Sequence, residues 1–142
     1  MYADSSFLVA LYMDDRHADP ANDYLRKNPN PIVLTSFSKG ETQHAVRMCA
    51  FRGDISEAEM TQGLLLFEQD QDEGLYEPFR LDAEELFKKA AQLSQRYARV
   101  SGVRYLDMLH VASALLAKSR HFLTFDQRQR KLAKRVGLEA KP

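Results

Sequence analysis

Four acidic residues, Asp4, Glu41, Asp107 and Asp126, are spread over the 142-residue chain yet recur at comparable places in its local pattern. Asp4 follows Tyr2-Ala3, and Asp126 follows Phe122-Leu123-Thr124-Phe125, each at the end of a short apolar run. Glu41 falls in the first turns of a helical stretch after the run Ile32 to Thr35, and Asp107 opens an apolar helical stretch. In an open parallel sheet, loops and helix N-termini converge beyond the carboxyl ends of the strands, and ligands bind there. The four carboxylates are therefore expected at one edge of one sheet. Carboxylates packed closely repel each other and are costly to desolvate, so they need protons, basic partners or hard cations. Mg²⁺ or Mn²⁺ suits such an all-oxygen set, which lacks the thiolates or clustered imidazoles that favour zinc. An ion held there activates water and neutralises developing charge, the chemistry of phosphodiester hydrolysis.

Each acid also has a plain structural explanation. Asp4 and Asp126 can cap the helices that follow them, Asp107 can complement a helix dipole in the first turn, and Glu41 can be a solvated glutamate. Asp107, however, directly precedes Met108-Leu109-His110-Val111-Ala112, where an unpaired charge would be expensive. His110, three residues on, can reach the same face, but on so apolar a stretch it reads as a hydrogen-bonded core residue. His17, His44 and His121 have no partner spacing that suggests a metal, and Cys49 reads as a small packed hydrophobe. No Gly-rich phosphate loop or serine nucleophile elbow is present, which removes the usual nucleotide-binding and acyl-transfer signatures. A phosphatase using Asp4 as a covalent nucleophile would want a second aspartate two residues later, where Ser6 stands.

The elements that must position these residues follow from periodicity and capping. A first strand is expected to end near Asp4, with Ser5 or Ser6 capping a buried helix over the apolar run Phe7 to Met13. A second helix is expected over His17 to Lys27, stopped by Asn28-Pro29-Asn30-Pro31. Ile32 to Thr35 predicts a buried strand, and Ser36 to Arg52 a helix after a serine cap. Ser56 and Glu59 have capping-box spacing, starting a helix that should run to about Glu68, and Gln69 to Gly74 reads as a loop. Leu75 to Arg80 allows a brief strand whose Pro78 suits a sheet edge. Asp82 to Val100 is amphipathic, and Tyr105 to Lys118 is apolar almost all round. His121 to Thr124 is a further strand, followed by a basic helix from about Asp126 to Val136 that Gly137 ends. Strands alternating with helices imply an α/β fold, a three-layer α/β/α sandwich with a mainly parallel central sheet.

A chain of this length fits a single domain spanning residues 1–142. Its 44% hydrophobic and 28% charged residues exclude a disordered or fibrous chain. One cysteine excludes an internal disulfide framework and a multi-cysteine zinc site, in keeping with a reducing cytoplasm. No apolar run is long enough to span a bilayer, so no membrane association is expected, and Met1 to Ala10 lacks the basic start of a standard export signal. The formal net charge of zero hides an asymmetry: residues 118–142 carry 8 basic and 2 acidic side chains, while the rest is net acidic. Arg128, Arg130, Lys131, Lys134 and Arg135 cluster just after Asp126, where they would draw an RNA backbone to the acidic edge. A solvated helix face is the alternative for that run.

Four pieces in this order resemble the PIN-domain ribonucleases, in particular the VapC-like toxins of type II toxin-antitoxin systems. They are Asp4-Ser5-Ser6-Phe7-Leu8-Val9-Ala10; Ser36 to Glu41; Asp107 to Leu115; and Phe122-Leu123-Thr124-Phe125-Asp126 with Arg128, Leu132-Ala133 and Gly137-Leu138. The resemblance covers essentially the whole chain. It implies a metal-dependent endoribonuclease whose acidic quartet maps onto Asp4, Glu41, Asp107 and Asp126, with a polar hydroxyl nearby from Ser5 or Ser6 and from Thr124. It further implies a homodimer held in check by a small antitoxin that inserts a basic side chain among the acids. A non-catalytic PIN-fold domain that binds RNA or protein is the alternative.

Overall fold

Short β-branched and aromatic runs become strands and the stretches between them helices in the computed structural model, which describes residues 1–142. In chain order these are β1 (Tyr2–Ala3), α1 (Ser5–Tyr12), α2 (Ala18–Lys27), β2 (Ile32–Leu34), α3 (Ser36–Phe51) and α4 (Glu57–Asp72). Then come β3 (Tyr76–Pro78), α5 (Ala83–Ser101), α6 (Tyr105–Leu116), β4 (His121–Leu123), α7 (Gln127–Arg135) and β5 (Glu139–Lys141). The strands form one sheet in the order β3-β2-β1-β4-β5, every neighbouring pair parallel. The chain steps outward from β1 through β2 to β3, then returns to the other side of β1 for β4 and β5. That reversal opens a crevice at the carboxyl end of the central strand, the place where ligands enter such sheets.

Alternation along the strands divides the core. Tyr2, Val33, Phe122 and Ala140 face one way, packing with Leu86 and Leu93 of α5, Met108 and Val111 of α6 and Leu132 of α7. Ala3, Ile32, Leu34 and Leu123 face the other way, against Phe7 and Leu8 of α1, Ala21 of α2 and Phe67 of α4. Helix α6 is buried through most of its length, as its all-round apolar sequence requires. The result is the α/β/α sandwich expected from the sequence, with Pro78 on edge strand β3.

Several local expectations are corrected. Asp4 caps α1, as the structural explanation of that acid allowed, in place of Ser5 or Ser6, and Thr35, not a serine, caps α3 in a reciprocal pair with Ser38. The Ser56–Glu59 capping box forms as expected, but α4 continues past Glu68 to Asp72, through residues read as a loop. Tertiary anchors hold that polar end: Tyr12 donates to Asp70 (2.7 Å) and Lys39 to Gln71 (2.6 Å), while Gln71 also donates within the helix to the Phe67 carbonyl (2.7 Å). Strand β5, absent from the sequence reading, is three residues long and has only Ala140 buried, too little pattern to detect.

Phe122 is fully buried and stacks on Tyr2 at 6.0 Å between centroids, whereas Phe87 is half exposed. Phe122→Ala is expected to cost about 3–5 kcal/mol in urea unfolding, and Phe87→Ala less than about 1 kcal/mol. Equal losses at the two positions would contradict this placement of the core.

Candidate active site

The carboxyl end of β1 delivers Asp4 to the crevice with no exposed surface. Its Oδ1 accepts from the Phe7 amide (3.0 Å) and the Ser6 hydroxyl (2.8 Å), and its Oδ2 accepts from the Thr124 hydroxyl (2.6 Å). Burial pushes its pKa up, against the lowering influence of His110 and these hydrogen bonds. Thr124 Oγ1 in turn accepts from the Asp126 amide (3.0 Å), and Ser6 Oγ from the Phe125 amide (3.1 Å). The hydroxyls of Ser6 and Thr124 thus bind the loop after β4 to the loop after β1, so two of the four acids are fixed by one short chain of bonds. Ser5 also lies beside the site, where it helps lower the Glu41 pKa.

Asp126 caps α7, its Oδ1 accepting from the amides of Arg128 (2.7 Å) and Gln129 (2.8 Å). Gln129 also donates to Asp107 Oδ1 at 3.4 Å, which ties the third acid to the second. Asp107 sits in the first turn of α6, with its Oδ2 3.3 Å from the Arg104 amide. Burial raises its pKa, helped by the negative charges of Asp126 and Glu41 and opposed by the Arg104 amide and His110.

Glu41, in the second turn of α3, reaches the same neighbourhood through His110 of α6, whose Nε2 hydrogen-bonds its Oε2. The other imidazole nitrogen, Nδ1, lies 2.9 Å from the Tyr2 hydroxyl. Burial raises the Tyr2 pKa, so the phenol keeps its proton. The ionised Glu41 carboxylate can only accept, so the Nε2–H of His110 donates to it, and the ring is held between the Tyr2 hydroxyl and this carboxylate. Burial alone would raise the Glu41 pKa, but His110, Ser5 and His44 outweigh it and hold the carboxyl below its ordinary value.

His110 is the hydrogen-bonded core residue that its apolar helix implies, and its bond to Glu41 also brings it to the site, as the three-residue spacing from Asp107 allows. Gln129 and Tyr2 were not singled out from the sequence. The signal for Gln129 is its place three residues after Asp126, where a polar side chain at the start of a helix can turn toward the strand end.

The basic residues divide. Arg128, Lys131 and Lys134 are exposed on α7. Arg130 is turned inward: its guanidinium donates to the Thr124 carbonyl (2.7 Å) and the Pro142 carbonyl (2.8 Å), bracing the strand end that carries Thr124. Arg135 is nine residues beyond Asp126, about 13 Å along the helix at 1.5 Å per residue. It lines a separate cleft with Lys89, Arg96 and Tyr97. Of the five cations, Arg130 is thus engaged with backbone carbonyls and Arg135 borders a second cleft.

The PIN domain family profile matches residues 1–135. The chain belongs to the PIN domain family. Solved PIN-like structures share its fold over nearly the full length. One is VapC20 from Mycobacterium tuberculosis, described as a sarcin-ricin loop cleaving toxin, with a TM-score of 0.71, 15% identity and coverage of 99% of this chain and 98% of that one. Others are FitAcB from Neisseria gonorrhoeae (TM-score 0.67, 14% identity, 99% and 96% coverage) and VapBC2 from Rickettsia felis bound to a promoter DNA fragment (0.64, 16%, 99% and 96%). At these identities the likeness shows the fold. A sequence search of curated proteins finds no match. No helix is long and apolar enough to cross a membrane.

No three His, Cys, Asp or Glu side chains of this PIN domain face one point as a ready-made ion shell. The reason is visible in the bonding: Asp4 has three donors on its two oxygens, Asp126 Oδ1 has two, and Glu41 Oε2 has His110. The chemistry of the donor set nevertheless fits a hard divalent cation. No Lys or Arg forms an ion pair with any of the four acids, and two of them are pushed toward protonation by burial. Mg²⁺ commonly keeps several waters and uses only one or two carboxylates, which does not require three converging side chains.

The raised Asp4 pKa carries a sign. The folded protein binds that proton more tightly than the unfolded chain, so Asp4 costs stability as pH rises from about 3.9 through the folded value. Asp4→Asn removes the ionisation. In EDTA, the urea midpoint of the variant relative to wild type should rise between about pH 4 and pH 7; a flat or falling difference contradicts the assignment.

Proposed function

We propose that this PIN domain is a metal-dependent endoribonuclease, the toxin of a toxin-antitoxin pair neutralised by a small antitoxin. The observation that carries the reading is an acidic crevice with no lysine or arginine counter-ion, at the switch point of a PIN-family sheet. Asp4, Asp107 and Asp126 would hold Mg²⁺ or Mn²⁺, directly or through water. When bound, such an ion lowers the pKa of its water and offsets charge on the phosphate and leaving oxygen.

The protein's own groups do the positioning. Glu41, whose Oε2 is held by the His110 imidazole beside Tyr2, would orient the attacking water. Thr124 keeps Asp4 and the Asp126 backbone in register. Arg128, Lys131 and Lys134 supply a cationic approach to the RNA backbone, an attraction that weakens as salt rises. A homodimer and an antitoxin with a basic side chain directed at the acids follow from the family resemblance, and the unpaired acids are suited to receive that cation.

A second reading, a non-catalytic PIN-fold domain that binds RNA or protein, draws on the engagement of Asp4 and Asp126 in helix caps. A cleavage assay separates the two. RNA should be cut with Mg²⁺ or Mn²⁺, not in EDTA, and Asp107→Asn should lose at least about 100-fold, since outer-shell changes alone cost 10–100-fold. Cleavage indifferent to chelation, or unchanged in the variant, contradicts the mechanism; RNA bound but never cut supports the second reading.

A further inference from the structure

Three rings lie in a row from the core to the rim of the acidic crevice. Phe7 is fully buried; Phe125 stacks on it at 5.6 Å with planes 14° apart; His17 stacks on Phe125 at 4.2 Å and 16°. Phe125 stacks on both of the other rings, and His17, half-buried, has Phe125 as its one ring partner. His17 and Phe125 line a cleft of about 410 Å³ together with Ser5, Ser6, Asp126 and Arg52, so the stack ends beside the proposed catalytic acids. The volume is in the range of small-ligand pockets.

Resting on the nuclease reading above, we propose that this cleft is a nucleobase subsite, in which one unpaired base next to the cleaved phosphodiester stacks on His17. The ring row supplies a flat, pre-ordered apolar platform, and stacking on such a platform is how proteins hold single-stranded bases. Arg16 donates from Nε to His17 Nε2 (3.1 Å), and Arg52 stands on the wall formed by α3 with its Nη2 3.3 Å from Cys49 Sγ. Arg52 is paired through Nε with Asp54 (2.8 Å), while the exposed Arg16 guanidinium is suited to a phosphate flanking that base. The cleft itself also holds Asp126 and Asp15, whose Oδ1 accepts from the His17 amide (2.7 Å). Two carboxylates disfavour a phosphate inside and leave the uncharged base as the occupant.

His17 makes no side-chain cap bond to α2, so replacing it removes the ring and the acceptor of the Arg16 Nε bond while leaving the helix cap unchanged. His17→Ala should raise the KM for single-stranded RNA at least about 5-fold with kcat nearly unchanged, the low end of base–aromatic stacking. His17→Phe keeps the platform without the nitrogen and should stay within about twofold of wild type. In parallel, an RNA oligonucleotide containing 2-aminopurine, mixed with the uncut-substrate variant Asp107→Asn, should show fluorescence quenching that Asp107→Asn/His17→Ala loses. If wild type cuts RNA while His17→Ala leaves KM and quenching unaltered, the subsite is overturned and the nuclease stands. If wild type does not cut but His17-dependent quenching persists, the nuclease reading fails and the base site stands. Neither cutting nor quenching overturns both.

Discussion

A carboxylate with no solvent contact, at the end of the central strand, is the constraint around which the crevice is organised. Asp4 is stabilised there only because Phe7, Ser6 and Thr124 all donate to it. A buried polar group without such partners would cost several kcal/mol. Each donor also has a structural duty: Phe7 lies in the first turn of α1, Ser6 holds the Phe125 amide, and Thr124 holds the Asp126 amide. Satisfying one charge thereby fixes the start of α1, the end of β4 and the cap of α7 relative to one another.

Around that anchor the remaining acids meet different fates. Glu41 gains an imidazole partner and is kept ionised, while Asp107 is left with weak donors and two like-charged neighbours. The positive charge that could neutralise them directly is elsewhere: Arg130 is spent bracing Thr124 and the chain end, and Arg135 faces another cleft. An acidic rim with no lysine or arginine paired to its acids has unmet electrostatic demand, and a hard cation or a basic side chain from a partner meets it with the same physics.

Much of this was legible in the sequence because strands and helices here carry clear periodicity. The order of elements, the Ser56–Glu59 capping box, the edge position of Pro78 and the apolar burial of α6 all follow from local pattern. The failures were places where distant contacts decide. Helix α4 extends because Tyr12 and Lys39 anchor Asp70 and Gln71, and β5 exists because β4 offers it a free edge. At the site, spacing located the acids near strand ends and helix starts. It also marked Asp4 and Asp126 as caps, but could not show the Ser6 and Thr124 hydroxyls that join the two loops. Nor could it show that His110 would bridge Tyr2 to Glu41 across 108 and 69 residues of sequence.

Calorimetric titration of Mn²⁺ into chelator-stripped protein tests most directly whether these acids act together as a cation site. The account predicts saturable binding to the wild type that weakens at least about tenfold in Asp107→Asn. Absence of saturable binding, or equal affinity in both proteins, would contradict it.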